Sequence, residues 1–494
     1  MGLVVETKYG KVEGFSEEGI NKWLGIPYAK PPIGKLRFKR TEKCVPWAGV
    51  KETKNHGNKP HQFLDTKLTD IPASEDCLFL NIWAPREAKD LPVFVWIYGG
   101  AYSIGECSDP NYDGTNFAKD GVIYVAFNYR LGVLGIYDFS IYDDSFDSNC
   151  GVADQIEALI WIKENIATFG GDSNNITIAG ESAGAASVIN MLAAPKSKGL
   201  FNKAIAESPI PGCVHNHYST KLNMNLFLKV TKIAPGEVYK LKTLHPDEMK
   251  HAAEYLLFNN CNLYPGIFLP GPVIDDLIPE HPIDAISKGC AKDIKLIIGT
   301  NDDDGALFVK VEATMFPSSW EQVRKMLELN HCIDKLEDLH QLYDGLSENK
   351  QMKELAKDRA FLIDSIKVAD RQSGYNSTWM YRFDYAPILT RLVGLKSVHG
   401  VEVPIALDNL GRGVIRRFWK GAPKKVMYKL RDDMHTAWVN FAKNSDPNRD
   451  LDMYWPNYNA EIRATFIFNE NNRVVMNPSE KNYDVWNDIK LYID

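Results

Sequence analysis

The sequence predicts an α/β protein: a large, mostly parallel central sheet with helices on both faces, in one domain covering residues 1–494 with helical insertions. Three observations carry this expectation. Short apolar runs of β type alternate with stretches whose apolar residues recur at helical spacing, the order that builds parallel sheets. Hydrophobic residues make up 45% of the 494-residue chain, enough for a large buried core. No internal repeat or low-complexity linker divides the chain, although its length alone would allow about three domains.

The elements follow in order. LVVET and KVEGF flank a turn at Tyr9–Gly10 and read as a hairpin. GIPYAKPPIGKLRF is rich in Pro and Gly and reads as an irregular surface strap. VFVWIY (93–98) and VIYVAFNYR (122–130) are apolar strands, the first ending in Gly99–Gly100. Residues 153–171 carry a helical period and stop at Gly170–Gly171. NITIAG (175–180) is a buried strand that runs into the helix-prone SAGAASVINMLA, and KAIAES (203–208) is a further strand. Residues 215–290 are more polar and helical. KLIIGTN (295–301) and TWMYRFDY (378–385) return to strand, 434–447 reads as a helix that breaks before a proline, and ATFIFNE and NRVVMN form a late β pair.

Composition narrows the function classes. The net charge is −7, with no basic surplus to neutralise a nucleic-acid backbone. No run approaches the ~18 apolar residues of a membrane helix, so no membrane partner is expected. The N-terminal MGLVVETKYGKVEGF lacks the basic start and apolar stretch of a signal peptide. Eight cysteines are scattered without a C-x-x-C pair, which argues for free, mostly buried thiols rather than a zinc or redox motif.

The sharpest local signal is Gly180-Glu181-Ser182-Ala183-Gly184, a G-x-S-x-G between an expected strand and an expected helix. That context matches the nucleophile elbow, in which a strained strand-to-helix turn projects a serine hydroxyl from the sheet edge. A serine attacking a carbonyl needs donors for the oxyanion. WIYGGAYS (96–103) ends a strand in two glycines and an alanine, so the expected donors are the backbone N–H groups of Gly100, Ala101 and Ala183.

A general base is also needed. Among 11 histidines, His399 in SVHGVEVPIAL stands on a glycine-flanked loop ahead of an apolar run. Chain order in α/β-hydrolase triads then requires an acid between residues 182 and 399, preferably at a strand end. IIGTNDDDGALF (297–308) is such a place. A calcium-loop reading of its three aspartates fails, because Thr300 and Val311 stand where ligands are needed. No metal and no other cofactor is expected.

Taken together, GIPYAKPPIGKLRF, SEDCLFLNIWAP, VWIYGGAYSIG, NYRLGVLG, the run from NCGVADQ through GESAGAASV, IIGTNDDDGALF, WMYRFDYAP, HGVEVP and AWVNFAKNSDPN resemble the type-B carboxylesterase/cholinesterase family. The chain is most similar to its bacterial p-nitrobenzyl-esterase-like branch. The resemblance implies the α/β-hydrolase fold and a serine carboxylesterase working through an acyl-enzyme. It implies Ser182 as nucleophile and His399 as base. Gly299, Asn301 and Gly305 align with the family's G-x-N-x-x-E-G pattern and place the acid at Asp304, where the family has Glu. Tyr98 replaces a frequent His before the oxyanion loop. Glu181, Ser208 and Glu402 match positions expected to orient water and His399.

Two absences complete the implied picture. Residues 53–76 hold neither the cysteine that would pair with Cys77 nor the tryptophan that choline-binding relatives use, and Cys261 has no nearby partner in sequence. Both point to a cytoplasmic enzyme that does not act on choline esters. The expected partner is a small-molecule ester, taken by a monomer or homodimer. Tyr102, Pro209, Ile210, Phe268 and Leu269 are candidates for an apolar substrate pocket. Two alternatives stay open. One is an inactive adhesion or scaffold protein, disfavoured by the presence of both Ser182 and His399. The other is the same machinery acting on amides or thioesters.

Overall fold

A computed structural model describes residues 3–267, 270–310 and 315–491. Among them thirteen strands form one sheet. They are β1 (Leu3–Thr7), β2 (Gly10–Glu17), β3 (Ile20–Pro27), β4 (Val50–Glu52), β5 (Phe79–Pro85), β6 (Leu91–Ile97), β7 (Ile123–Phe127), β8 (Gly171–Glu181), β9 (Lys203–Glu207), β10 (Lys295–Asn301), β11 (Thr378–Phe383), β12 (Ala464–Phe468) and β13 (Arg473–Met476). Their spatial order is β1-β2-β3-β5-β7-β6-β8-β9-β10-β11-β12-β13, with β4 beside β2. From β7 to β12 every pairing is parallel. Around this parallel centre, the path from β1 to β7 and the β12–β13 pair are antiparallel.

The apolar runs explain the centre. Every residue of IYVAF in β7 and of KAIAE in β9 is buried, as expected where helices cover both faces of a parallel sheet. The helix Ala183–Ala193 is buried all round, which suits a sequence with no polar face. The helix Cys150–Asn165 closes through a tight turn to Gly170, whose φ of 87° ends it at the expected Gly pair.

Two expectations are revised, and one strand had no expectation. Lys424–Asn444 is a single helix beginning ten residues before the expected start at 434. Its first turns carry Lys424, Lys425 and Lys429, but Val426, Met427 and Leu430 already pack toward the core at helical spacing, and Pro423 stands at the N-cap. The strap around GIPYAKPPIGKLRF begins inside β3 and is anchored inward: Tyr28 is fully buried and its hydroxyl donates to Asn128 O at 2.6 Å. Strand β5 escapes an apolar-run reading because Asn81 interrupts it. That amide is buried, accepts the Gly25 N–H at 2.9 Å and donates to Cys107 O at 3.3 Å. Cys44, Cys77, Cys107, Cys150 and Cys261 are buried and carry no disulfide.

One buried ion pair ties the front of the fold together. Arg130 Nε and Nη2 each lie 2.8 Å from Asp154, one to each carboxylate oxygen, and Nη1 donates to Lys39 O at 2.8 Å. This links the loop after β7, the helix Cys150–Asn165 and the strap. Asp154 is fully buried, so removing it leaves a guanidinium uncompensated. Asp154→Ala should lower unfolding free energy by about 3–5 kcal/mol in urea titration; a change within about 1 kcal/mol would contradict this account.

Candidate active site

The sequence candidates converge at the carboxyl ends of neighbouring parallel strands, where open α/β sheets leave a crevice. Ser182 follows β8, Ser208 follows β9, Asp304 follows β10, and the segment after β11 leads to His399. Ser182 has φ 58° and ψ −124°, a conformation a non-glycine residue adopts only under constraint. The constraint is visible: its N–H donates to Glu207 O at 3.0 Å. Gly184 is pressed so close to β6 that a Cβ there would fall 2.0 Å from Ile97 O. The turn therefore admits only glycine at that position.

The Gly99–Ala101 loop lies against the serine: a Cβ on Gly99 would stand 3.0 Å from Ser182 Cβ and 3.0 Å from Glu181 Oε2. Ala101 and Tyr102 both have φ 52°, and Gly100 O accepts from the N–H groups of Ser103 and Ile104 at 3.0 Å each. The turn closes on its own carbonyl. Among the described residues no backbone carbonyl accepts from the N–H of Gly100 or Ala101. Ala183 opens its helix, so its N–H has no partner within that helix.

The loops that carry Asp304 and His399 are clasped to each other. His399 Nδ1 lies 2.9 Å from Asp304 Oδ1. Asp304 Oδ2 accepts from the Asn301 N–H at 2.7 Å and from Ser208 Oγ at 3.0 Å. The aspartate thus reaches His399 within hydrogen-bond distance, and further bonds hold the two loops together. Asp303 N donates to Ser397 O at 3.0 Å, Asp303 Oδ2 accepts from the Lys396 N–H at 2.9 Å, and Asn301 Nδ2 donates to Val398 O at 2.9 Å. Asp302 pairs with Lys396 Nζ at 3.2 Å and lies 3.9 Å from Arg382 Nε. The three consecutive aspartates thus have three separate tasks. Among the described residues no three His, Cys, Asp or Glu side chains are grouped as a metal site.

His399 Nε2 faces Glu181 Oε1 at 3.2 Å, off the line a hydrogen bond requires, and among the described residues it has no hydrogen bond to Ser182. Burial disfavours the imidazolium, yet the charges of Glu181 and Asp304 and the Asp304 hydrogen bond outweigh it and hold the His399 pKa above the ordinary value. Burial pushes the Glu181 carboxyl up to about 7, with His399 opposing and Asp304 reinforcing the rise. Glu402 is raised further, by burial and then by the charges of Glu181 and Glu207. Its other tie is to Asn301, whose side-chain amide it accepts.

Several residues of the site have no motif to announce them. Phe308 and Phe361 pack their rings 5.2 and 4.6 Å from the His399 ring centroid. Phe308 lies on the short helix Ala306–Lys310 that follows Asp304. Phe361 comes from a π-helical turn at Asp358–Leu362 with nothing in the sequence to flag it. Glu207, one residue before Ser208, accepts from Trp438 Nε1 at 2.8 Å, and burial lifts its carboxyl to about 8. Of the pocket candidates, Pro209 is buried and Ile210 half-buried beside Ser208. Tyr102 is buried with its hydroxyl accepting from Ser187 Oγ at 3.1 Å and Asn190 Nδ2 at 3.4 Å, so that end of the ring serves the helix behind Ser182. Phe268 and Leu269 lie outside the described residues.

Comparison with known proteins agrees with this architecture. The profile of the Carboxylesterase family matches residues 2–486. The chain is similar to the para-nitrobenzyl esterase of Bacillus subtilis, at 37% identity over 97% of each chain. It is also similar to a cocaine esterase of Oryctolagus cuniculus, at 32% identity over 92% of this chain and 88% of that one. A solved PNB esterase superposes with a TM-score of 0.85 at 34% identity, covering 98% of this chain and 99% of that one. A carboxylesterase of Geobacillus stearothermophilus does so with a TM-score of 0.83 at 34% identity and the same coverage. The chain belongs to the carboxylesterase family.

Proposed function

We propose that the protein hydrolyses small-molecule carboxylic esters through an acyl-enzyme on Ser182. The observation that carries this reading is the strained Ser182 turn lying against the Gly99–Ala101 loop, with the His399–Asp304 pair on the adjoining strand ends. The esterases among its relatives support the bond type.

Chemistry follows from the atoms present. His399 Nε2 takes the Ser182 hydroxyl proton as Oγ attacks the ester carbonyl carbon. The N–H groups of Gly100, Ala101 and Ala183 hold the resulting oxyanion, a contribution of roughly 10²–10³ in rate per donor. Collapse of the tetrahedral species breaks the bond to the alcohol, which departs with the proton from His399. Water then attacks the acyl carbon while His399 accepts its proton, and the carboxylic acid leaves as Oγ regains a proton from His399. Asp304 holds the Nδ1 proton in place and stabilises the imidazolium. The imidazole must turn from Glu181 toward Oγ, a contact that tightens in substrate complexes. Phe308 and Phe361 form apolar walls beside it and exclude water from the charge pair.

Four outcomes test the reading. With p-nitrophenyl acetate, the protein should release a burst of nitrophenol equal to the enzyme present, and Ser182→Ala should lose at least about 10⁴ in turnover; an active alanine variant ends the proposal. Asp304→Asn should cut kcat by about 10⁴ through loss of the correct tautomer. Asp303→Ala should lower kcat about tenfold by loosening the clasp, and Asp303→Asn, which can still accept the Lys396 N–H, should restore it. Finally, His399 serves as base only when neutral, so kcat/KM falls as pH drops through its pKa. Glu181→Gln removes the charge that most opposes burial. The acid limb should therefore move to lower pH; a shift to higher pH would contradict the electrostatics.

A further inference from the structure

Residues 409–431 hold eight Lys and Arg and no Asp or Glu, in a chain whose net charge is −7. Three of the eight are engaged: Arg412 with Asp113 at 2.8 Å, Lys429 with Asp433, and Arg431 with Asp408 at 3.1 Å. Arg416, Arg417, Lys420, Lys424 and Lys425 are exposed, as is Arg391 on the neighbouring segment, and among the described residues no carboxylate lies within 4.0 Å of these six cations. Apolar side chains are exposed among them. Leu392 is 75% exposed, and Ile388, Leu389, Val414 and Tyr428 are exposed as well.

These features form one surface. The Trp419 ring stacks on Tyr385 with centroids 5.6 Å apart, and a Cβ on Gly421 would touch Ile388 Cγ2 at 3.5 Å. The segment bearing Ile388, Leu389, Arg391 and Leu392 therefore lies against the turn bearing Arg416, Arg417 and Lys420. That same segment leaves the carboxyl end of β11 and leads to His399, and Trp419 Nε1 donates to Val401 O at 2.9 Å. The surface is built on the loop that carries the imidazole.

We propose that this surface docks the protein on an anionic lipid bilayer. Cations supply attraction to the headgroups, and Leu392 with its exposed apolar neighbours enters the headgroup–acyl boundary. An acidic polypeptide would use the cations but leave the apolar side chains without a purpose. The acidic remainder of the protein is repelled by the same bilayer, so the patch also fixes which face approaches it. This departs from the expectation of no membrane partner, which rested on the lack of an apolar run long enough to span; none of the helices described is long and apolar enough to span, and a peripheral contact needs none. The proposal stands apart from the reaction proposed at Ser182.

Vesicle co-flotation of the whole chain tests it. Vesicles of phosphatidylcholine with about 30% phosphatidylserine should bind the protein at least about tenfold better than phosphatidylcholine alone, with binding that weakens as salt rises past about 0.1 M. Replacing Arg416, Arg417, Lys424 and Lys425 together by Ala should reduce that binding about tenfold or more, and Leu389→Ser with Leu392→Ser should reduce it about threefold or more. Solution hydrolysis of p-nitrophenyl acetate should match wild type in both variants, as a check of folding. Equal or absent binding of wild type to the two vesicle types overturns the proposal without reference to any variant. Undiminished binding by the leucine variant, with displacement of wild type by soluble polyglutamate, overturns it in favour of an acidic polypeptide.

Discussion

The hydrogen bond from His399 Nδ1 to Asp304 depends on two loops, far apart in sequence, being held at one distance. The parallel register makes that possible. Strands β8, β9, β10 and β11 run side by side, so that each ends beside the next, and the residues following each strand end meet at one edge. Around that edge the loops are tied by main-chain and side-chain bonds among Asn301, Asp303, Lys396, Ser397 and Val398. Within the clasp Asp304 meets the imidazole at 2.9 Å.

The electrostatics of the site follow from unequal surroundings around chemically similar groups. Asp304 accepts from a backbone N–H, a serine hydroxyl and the imidazole. Glu181, Glu207 and Glu402 are buried with fewer donors, and burial raises all three. Desolvation penalises the charged form, and each ionised neighbour penalises the next. The imidazole gains from the negative charge that persists near it, so its basicity exceeds that of a free histidine despite burial.

Strain at Ser182 is sustained by packing. A residue at φ 58° and ψ −124° costs about 1–3 kcal/mol and persists where its surroundings over-determine it. Here the surroundings are the bond to Glu207 O, the contact of Gly184 with β6, and a following helix with every residue buried. The cost of the turn is offset by the burial of that helix against the sheet.

The amino-acid sequence by itself determined the layered α/β class, the strand runs of the parallel centre, the candidates Ser182 and His399, and the acidic stretch 302–304; the resemblance to the family pattern singled out Asp304 within it. Those features are local: an apolar period, a G-x-S-x-G between strand and helix, an acidic run at a strand end. Only the tertiary structure decided that Asp303 and Lys396 clasp the two loops, that Phe308 and Phe361 wall the imidazole, that Tyr102 turns its hydroxyl to the helix behind Ser182, and that two separate segments join into one basic, apolar surface. Each of these is a contact between segments that are not adjacent in the chain. Periodicity and motif spacing record how a residue relates to its sequence neighbours. What lies across a loop from it depends on strand order and register, which emerge only when the sheet is assembled.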